Sequence, residues 1–236
     1  YAIDCHADIR AEDIVITFEG TSFTAQTPKG SFKVQSPLVG RHNVSNILAA
    51  IGVGLSRGSS IAMIQDGIAS LRCVPGRFEK IDEGQKYGVV VDYAHTGDAL
   101  DKLLNTACSL TEGRLITVFG CGGDRDQGKR FVMGKIAATL SDLVIVTSDN
   151  PRTEDPNRII CDVVDGIVAS DSSSIYEVVP DRSEAIRAAV RVARPGDLVV
   201  IAGKGHENYQ IVGDCRLYFD DRCVAREAIV SEHGRI

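Results

Sequence analysis

The chain has 236 residues, of which 44% are hydrophobic and 25% charged, and its formal net charge is −6. This length suits one large domain, or one domain with part of another, and the composition is that of a globular protein. The negative charge argues against broad nucleic-acid binding, and no apolar run reaches the roughly twenty residues that cross a bilayer. We therefore expect a cytoplasmic protein that binds no nucleic acid and does not insert into a membrane.

The 7 cysteines are odd in number and form no Cys-x-x-Cys pair. This pattern is typical of reduced thiols and argues against a disulfide framework or a zinc site. We expect each cysteine to be a small buried hydrophobic residue. The chain begins with Tyr1 rather than Met, which predicts a fragment or a processed product.

Residues 1–74 are predicted to form short strands followed by two helices. The segments DIVITF, SFTAQT and SFKVQS are separated by turn residues, as strands are. The first helix is indicated by an apolar stripe with helical spacing, formed by Val44, Ile47, Leu48, Ile51 and Leu55. A second helix is predicted in SSIAMIQDGIASL with Ser59 or Ser60 as its N-cap. The break at Pro75-Gly76 places a domain boundary between residues 74 and 75.

In residues 75–236 short apolar runs alternate with amphipathic segments. The runs are GVVVDYAH, RLITVFGCGG, DLVIVTSDNP, SIYEVVPD and DLVVIAGKGHE. Strands that alternate with helices predict an α/β fold with a Rossmann-like, doubly wound, mostly parallel sheet. Ligands bind such sheets beyond the carboxyl ends of the strands, so the polar residues after these runs are the candidates for a site.

Two of the strand ends carry arginines. FGCGGDRDQGKR is a glycine-rich turn that could bind an anion through its backbone, although a tight strand-to-helix connection is the better interpretation of this loop alone. Arg125 within it would lie between the carboxylates of Asp124 and Asp126. SDNPRTEDP contains Asn150 and Arg152, and it suits a substrate-binding loop as well as a capped connection with a solvated arginine.

A third strand end, AGKGHE, places Lys204, His206 and Glu207 close together. His206 alone has both a structural and a catalytic interpretation. If the three loops converge on one rim, they offer two arginines, one amide and one carboxylate. Such a set suits a zwitterionic amino acid, with arginines for its carboxylates and Glu207 for an ammonium.

VDYAHTGDAL also follows a predicted buried strand. Asp92 could accept hydrogen bonds from ribose hydroxyls, and His95 could approach a phosphate. Capping of the next helix by Thr96 or Asp98 is compatible with both roles.

In GRHNVSN, Asn43 and Asn46 lie one helical turn apart. Buried amides need hydrogen-bond partners, and an adenine edge would serve as one. From these residues alone, capping of the helix by Asn43 is the favoured interpretation.

Six of these motifs, in this order, resemble those of the Mur ligases, the ATP-dependent enzymes that add amino acids to the peptidoglycan precursor. The motifs extend from about residue 35 to near residue 230 and are GRHNVSNILAAI, VPGRFE, VVVDYAHT, VFGCGGDRDQGKR, SDNPRTEDP and AGKGHENYQ. Asp-Asn-Pro-Arg resembles the signature of members that add meso-diaminopimelate rather than L-lysine.

The resemblance implies two groups of site residues. A meso-diaminopimelate site would be formed by Arg125, Asn150, Arg152, Gly203 and Glu207. A nucleotide site would be formed by Asn43, Asn46, Arg77, Asp92 and His95. Lys129 and Lys204 stay unassigned, and neither a catalytic residue nor a metal ligand is assigned in this chain.

The resemblance also implies the reaction. ATP would phosphorylate the D-glutamyl carboxylate of UDP-N-acetylmuramoyl-L-alanyl-D-glutamate, and an amine of diaminopimelate would attack the acyl phosphate. Residues 1–74 resemble the tail of the central ATP-binding domain, and residues 75–236 resemble the C-terminal amino-acid-binding domain. ATP and magnesium would be bound mainly outside this chain, which has no Gly-Thr-x-Gly-Lys-Thr/Ser loop. We therefore expect the chain alone to be inactive and its parent to be an active, monomeric ligase.

The sequence differs from the family pattern at one position, and two other functions are considered. Gly97 stands where the family usually has proline, which is expected to loosen a helix start without removing a ligand. A lysine-adding or folylpolyglutamate-type ligase is disfavoured by SDNPR. A non-catalytic scaffold is disfavoured because the charged loop residues remain, namely His95, Arg125, Arg152 and Glu207.

Overall fold

The structure is a computed structural model that describes residues 1–233. The chain divides into two compact units at the Val74–Pro75 bond. This division falls at the Pro75-Gly76 break in the sequence pattern. The longest described helix has 16 residues, and no helix in the described part combines the length and apolarity needed to cross a membrane.

The first unit contains a three-stranded antiparallel sheet and two helices. Its elements are β1 (Arg10–Ile16), β2 (Thr21–Thr27), β3 (Gly30–Ser36), α1 (Arg41–Ser56) and α2 (Ile61–Ser70). The predicted apolar stripe of α1 packs with inward residues of β2 and β3, among them Phe23 and Val34, which pair across the two strands. The Ser60 hydroxyl caps α2 by accepting a hydrogen bond from the Met63 amide. The predicted strands, both helices and the Ser60 cap are confirmed.

The second unit is built on a six-stranded sheet. Its strands are β4 (Glu79–Lys80), β5 (Gly88–Asp92), β6 (Leu115–Phe119), β7 (Leu143–Val146), β8 (Ile175–Val178) and β9 (Leu198–Ala202). The strand order is β4-β5-β9-β6-β7-β8, and every neighbouring pair is parallel except β4 with β5. The mostly parallel sheet predicted from the apolar runs is confirmed.

Helices cover both faces of this sheet. They are α3 (Gly97–Leu110), α4 (Gly128–Leu140), α5 (Pro156–Val168), α6 (Arg182–Val192) and α7 (Asp221–His233). Residues that share one face of the strands, such as Val91 and Val199, pack with the apolar sides of α6 and α7. The alternate residues Val90 and Val200 are equally buried and point to the other face, where α3 packs against β9 and both α4 and α5 against β7.

The position of β9 determines where a site can form. β9 is inserted between β5 and β6. The helix that follows β5, α3, packs on one face of the sheet, whereas the helix that follows β9, α7, packs on the other. Such a switch point opens a crevice at the carboxyl ends of the strands. The loops after β5, β6, β7 and β9 therefore gather at one edge of the sheet.

Some elements had no prediction from the sequence. These are β4, α7 and an antiparallel hairpin made of β10 (Tyr209–Val212) and β11 (Cys215–Tyr218). The hairpin residues are mostly exposed or half-buried, so they lack the continuous apolar run that marks a buried strand.

The prediction that every cysteine is buried is wrong. Only Cys121 is buried, and burial raises the pKa of its thiol to about 12. Cys223 is half-buried, and the exposed cysteines are Cys5, Cys73, Cys108, Cys161 and Cys215. The general preference of cysteine for the interior does not determine which side of an element each one occupies.

Candidate functional site

A cavity of about 420 Å³ lies at the carboxyl edge of the six-stranded sheet. The loops that follow β5, β6, β7 and β9 supply its walls. All five residues predicted for an amino-acid site line it, namely Arg125, Asn150, Arg152, Gly203 and Glu207. The structure thus brings together residues that lie up to about eighty positions apart in the sequence.

Asn150 connects three segments around this cavity. The residue is only 4% exposed. The Asn150 Nδ2 donates to Glu207 Oε2 at 3.2 Å, and its Oδ1 accepts from the Ile211 amide at 2.9 Å and from Lys204 Nζ at 3.2 Å. The amide therefore holds the β7 loop against the β9 loop and the hairpin.

Hydrogen bonds of its backbone and of one guanidinium nitrogen hold Arg152 in place. Its φ of 53° lies in the left-handed region, which is uncommon for a residue other than glycine. The Arg152 amide donates to the Ile211 carbonyl, and the Arg152 carbonyl accepts from the Gly213 amide. Its Nη1 donates to the Gly123 carbonyl at 2.7 Å. Among the described residues Arg152 forms no ion pair, so its charge remains for a ligand.

Arg125 does not lie between the two neighbouring carboxylates as predicted. Its Nη1 donates to the Asp124 carbonyl oxygen at 2.9 Å. The Asp124 carboxylate accepts from the amide and hydroxyl of Thr153, and the Asp126 carboxylate accepts from the Gly128 amide. The two acids thus order the loop, while Arg125 is exposed at the rim of the cavity.

Lys204 lies beneath the cavity and contacts two carboxylates that line it, a role that the sequence did not show. It is fully buried, and its Nζ lies 3.3 Å from Glu207 Oε2 and 3.7 Å from Asp149 Oδ1. Gly203 precedes it with a φ of 120°, and a Cβ there would lie 2.8 Å from Asp149 Oδ2. The backbone conformation and this close approach both favour glycine at position 203.

Tyr209 is a second lining residue that the sequence did not indicate. Its hydroxyl donates to Glu207 Oε1 at 3.3 Å, and the Arg216 guanidinium lies 3.8 Å from its ring centroid. Burial and the adjacent Glu207 raise the pKa of Tyr209, so the phenol keeps its proton and acts as a donor. AGKGHENYQ contains this tyrosine, but only the hairpin fold turns its ring towards the cavity.

The buried charges beneath the cavity do not cancel. Arg182 donates two hydrogen bonds to Asp221, at 2.7 and 2.8 Å, and both residues are fully buried. Together with Lys204 this makes two cations against three carboxylates, those of Asp149, Glu207 and Asp221, for a formal charge of −1. The walls carry three cations, Arg125, Lys129 and Arg152, against one further carboxylate, that of Asp126. An acidic floor below cationic walls complements a ligand with an ammonium group and carboxylates.

Three residues predicted for a nucleotide lie in the second unit near Tyr93. The Arg77 guanidinium lies 4.9 Å from the Tyr93 ring centroid, and the His95 ring packs edge-on at 4.6 Å. His95 lines the cavity, and its Nδ1 lies 2.9 Å from the Tyr93 carbonyl oxygen. Asp92 accepts hydrogen bonds from the Phe78 and Ala94 amides, so its carboxylate orders this segment.

The loops around Tyr93 show how α3 is capped, while the role of His206 stays a prediction. His206 is exposed, and its ring lies 5.1 Å from that of Tyr93. The Thr96 hydroxyl accepts from the Ala99 amide, so Thr96 rather than Asp98 caps α3. Lys129, for which the sequence predicts no role, lines the cavity and donates to the His95 carbonyl oxygen at 2.9 Å.

Asn43 and Asn46 belong to the first unit. Asn43 is buried; its Nδ2 donates to the Val39 carbonyl and its Oδ1 accepts from Asn46 Nδ2 at 3.4 Å. The N-cap of α1 is Gly40, so the prediction that Asn43 caps the helix is wrong. Because Asn43 lies within the first turn of α1, its amide bonds backward to the preceding segment.

Residues 1–233 contain no group of three or more His, Cys, Asp or Glu side chains arranged to hold a metal ion. The acids around the cavity accept hydrogen bonds from backbone amides, Lys204 and Tyr209.

Two family descriptions match the chain. "Mur ligase, glutamate ligase domain" matches residues 76–205, and "Mur ligase middle domain" matches residues 1–54. Among curated proteins, UDP-N-acetylmuramoyl-L-alanyl-D-glutamate–2,6-diaminopimelate ligase of Solibacter usitatus is 52% identical over 97% of this chain and 46% of its own length. The protein of the same name from Syntrophomonas wolfei is 49% identical over 97% of this chain and 47% of its own length.

A solved structure supports the same relationship. A 2,6-diaminopimelate ligase with the same full name superposes with a TM-score of 0.73 and 43% identity, over 96% of this chain and 46% of that one. The chain thus spans about half the length of the relatives that it matches.

Proposed function

The chain belongs to the Mur ligase family, and from this premise we propose that it forms the C-terminal part of an ATP-dependent ligase. The ligase adds meso-diaminopimelate to UDP-N-acetylmuramoyl-L-alanyl-D-glutamate in peptidoglycan synthesis. Residues 1–74 are the tail of its central ATP-binding domain, and residues 75–236 are its amino-acid-binding domain. We also propose a cytoplasmic location, because the seven free cysteines are typical of a reducing compartment.

The observation that carries this proposal is the charge arrangement of the carboxyl-edge cavity. Arg125 and Arg152 bond to neutral carbonyl oxygens, so both guanidiniums can take carboxylates of a ligand. Glu207, held by Lys204, Asn150 and Tyr209, can accept an ammonium. Diaminopimelate carries two carboxylates and two ammoniums, whereas lysine would leave one of the arginines without a carboxylate.

The contribution of these residues to the reaction is binding and orientation. Holding diaminopimelate by both ends fixes the direction of its attacking amine, which lowers the entropic part of the barrier. ATP, when bound, supplies the phosphoryl group that activates the D-glutamyl carboxylate. We propose that Arg77 and His95 contact the nucleotide, that Asp92 holds their segment, and that Asn46, oriented by Asn43, contributes an amide.

We propose that the parent ligase binds magnesium mainly through residues outside this chain. No step involving magnesium is assigned to the residues described here.

The direct test is isothermal titration of this chain with meso-diaminopimelate and with L-lysine. We expect tighter binding of diaminopimelate, and a loss of more than tenfold in Arg152→Ala because a charge-assisted contact disappears. Arg187→Ala is the matched control, since Arg187 pairs with Glu184 on the surface of α6.

If this chain binds neither amino acid, the test is repeated on the full-length protein with ATP and the muramoyl dipeptide. Failure of that protein to incorporate diaminopimelate would refute the proposed function. Incorporation of L-lysine at the same rate would refute the specificity. A protein that binds neither substrate at all would support the scaffold interpretation instead.

A further inference from the structure

The loop that carries Arg125 and the loop that carries Arg152 are joined by side chains outside the predicted site. Glu154 Oε1 accepts a hydrogen bond from the Asp124 amide at 2.6 Å. In return, Asp124 accepts from the Thr153 hydroxyl at 2.8 Å and from the Thr153 amide at 3.2 Å. Each loop thus provides both a donor and an acceptor to the other.

A buried arginine anchors this junction. Arg130, on α4, is fully buried, and its Nη2 donates to both carboxylate oxygens of Glu154, at 2.8 and 2.9 Å. Its Nη1 donates to Asp162 on α5 at 2.8 Å. Arg130 therefore links the carboxylate that connects the two loops to both of the helices that follow them.

The backbone at the junction explains why such bonds are needed. Asp124 and Arg152 have φ values of 52° and 53°, a region that is unfavourable for residues with a side chain. A Cβ on Gly123 would collide with the Pro151 carbonyl oxygen, so the two loops are in direct contact there. Without additional bonds, both loops would relax towards ordinary conformations and move their arginines.

We infer that Glu154, with Arg130, Asp124 and Thr153, forms an inter-loop clasp whose function is to position Arg125 and Arg152 for the two-carboxylate amino acid. This inference rests on the proposed function. The clasp residues are positioning residues, because Glu154, Arg130 and Thr153 do not line the cavity. They act on the ligand through the two arginines.

The test uses the full-length ligase and measures KM separately for diaminopimelate and for ATP. Glu154→Ala is expected to raise the KM for diaminopimelate about tenfold and to leave the KM for ATP unchanged, because displaced arginines lose well-aligned contacts. Glu154→Gln is expected to restore most of the affinity, since its amide oxygen can accept from the Asp124 amide. Glu184→Ala on α6 is the matched control.

A second variant avoids disturbing buried Arg130. Thr153 is exposed, so Thr153→Val should fold normally while it loses the hydroxyl bond to Asp124, with an expected increase of about threefold in the diaminopimelate KM. Thr153→Ser should behave as wild type, and so should the control Thr139→Val, on the exposed surface of α4. An unchanged diaminopimelate KM in Glu154→Ala, or equal increases for both substrates, would overturn the clasp.

A ligand-free measurement separates this inference from the proposed function. The clasp predicts that amide hydrogen exchange of Asp124 becomes at least tenfold faster in Glu154→Ala. A wild-type ligase that does not use diaminopimelate would refute the proposed function, whereas unchanged exchange at Asp124 would refute the clasp.

Discussion

The six-stranded sheet has an open space at each end of its strands, and the two differ in how their charges are used. A groove of about 830 Å³ lies at the amino ends of β6, β7 and β8, against about 420 Å³ for the cavity at the carboxyl ends. In the groove, Arg114 pairs with buried Asp197 at 2.6 Å, and Arg191 lies 3.9 Å from Glu232. In the cavity, Arg125 and Arg152 bond to carbonyl oxygens.

The larger space is therefore not the one whose arginines are free of carboxylate partners among the described residues. Charges that are paired within the protein stabilise the fold, and their remaining electrostatic attraction for a ligand is small. Charges that are held by neutral partners keep their electrostatic attraction, and the fold has oriented them in advance. We therefore expect the carboxyl edge of the sheet to bind a ligand and the amino edge only to stabilise the fold.

The largest effect is expected at the floor of the carboxyl-edge cavity. Lys204→Met removes a buried cation and leaves Asp149 and Glu207 without their ammonium partner. We expect the free energy of unfolding to fall by about 3 kcal/mol, because uncompensated buried charge is costly. Urea denaturation measures this change, and Lys102→Met, which removes an exposed pair with Asp98, should change stability by less than about 0.5 kcal/mol. Equal effects of the two variants would show that Lys204 is not a buried structural cation.

The next effect separates binding from stability. Arg125→Ala should weaken diaminopimelate binding about tenfold and leave the unfolding free energy nearly unchanged, because Arg125 is exposed. Arg114→Ala should do the reverse and lower stability by about 1–3 kcal/mol, because Asp197 would lose its guanidinium. Titration and urea denaturation of both variants provide the measurements. A loss of binding in Arg114→Ala would contradict the division between the two edges.

A smaller effect is expected on the stability of the protein at acidic pH. The hydrogen bonds from Arg130 and from the Asp124 amide hold the pKa of Glu154 below its ordinary value of 4.5. A depressed folded-state pKa contributes stability that is complete above pH 4.5 and is lost as the pH falls through the lowered value. We therefore expect wild type to lose more stability than Glu154→Gln between pH 5 and about pH 3, as measured by urea denaturation at each pH. Parallel pH profiles would mean that the Arg130–Glu154 pair contributes nothing to acid sensitivity.

The smallest effect is expected at Gly97, which lies at the carboxyl edge without contributing a charge. Gly97 is the first residue of α3, a position where proline is favoured because its φ suits a helix start. We expect Gly97→Pro to raise the free energy of unfolding by about 0.5–1 kcal/mol, because proline lowers the conformational entropy of the unfolded chain. Diaminopimelate binding should be unchanged. A Cβ at this position would lie 3.1 Å from Val132 Cγ1, so the Val132 side chain must move slightly to accept it. Thermal denaturation is the measurement, and a lower Tm in Gly97→Pro would show that Val132 cannot move.

Much of the fold and part of the candidate site could be predicted before the structure. The apolar runs of β5, β6, β7 and β9 are long enough to identify buried parallel strands, and the polar residues after them line one cavity as expected. The run of β8 forms a parallel strand as well, but its residues are exposed at the edge of the sheet. The hairpin β10–β11 could not be predicted, because its exposed strands are ordered by pairing with each other and by the bridge between Arg152 and Val212. The prediction that the cysteines are buried is wrong for the same reason, because burial depends on contacts with residues that are distant in the sequence.

The sequence by itself determined the alternation of strands and helices, the division near Pro75 and the presence of Arg125, Asn150, Arg152 and Glu207 at strand ends. Periodicity reports which residues face the core, and this information is local. Only the tertiary structure decided that Lys204 lies beneath Asn150, 54 positions away, and that Glu154 joins Asp124, 30 positions away. Such bonds form because a buried or strained group must find a partner in three dimensions, and the identity of that partner is a property of the fold.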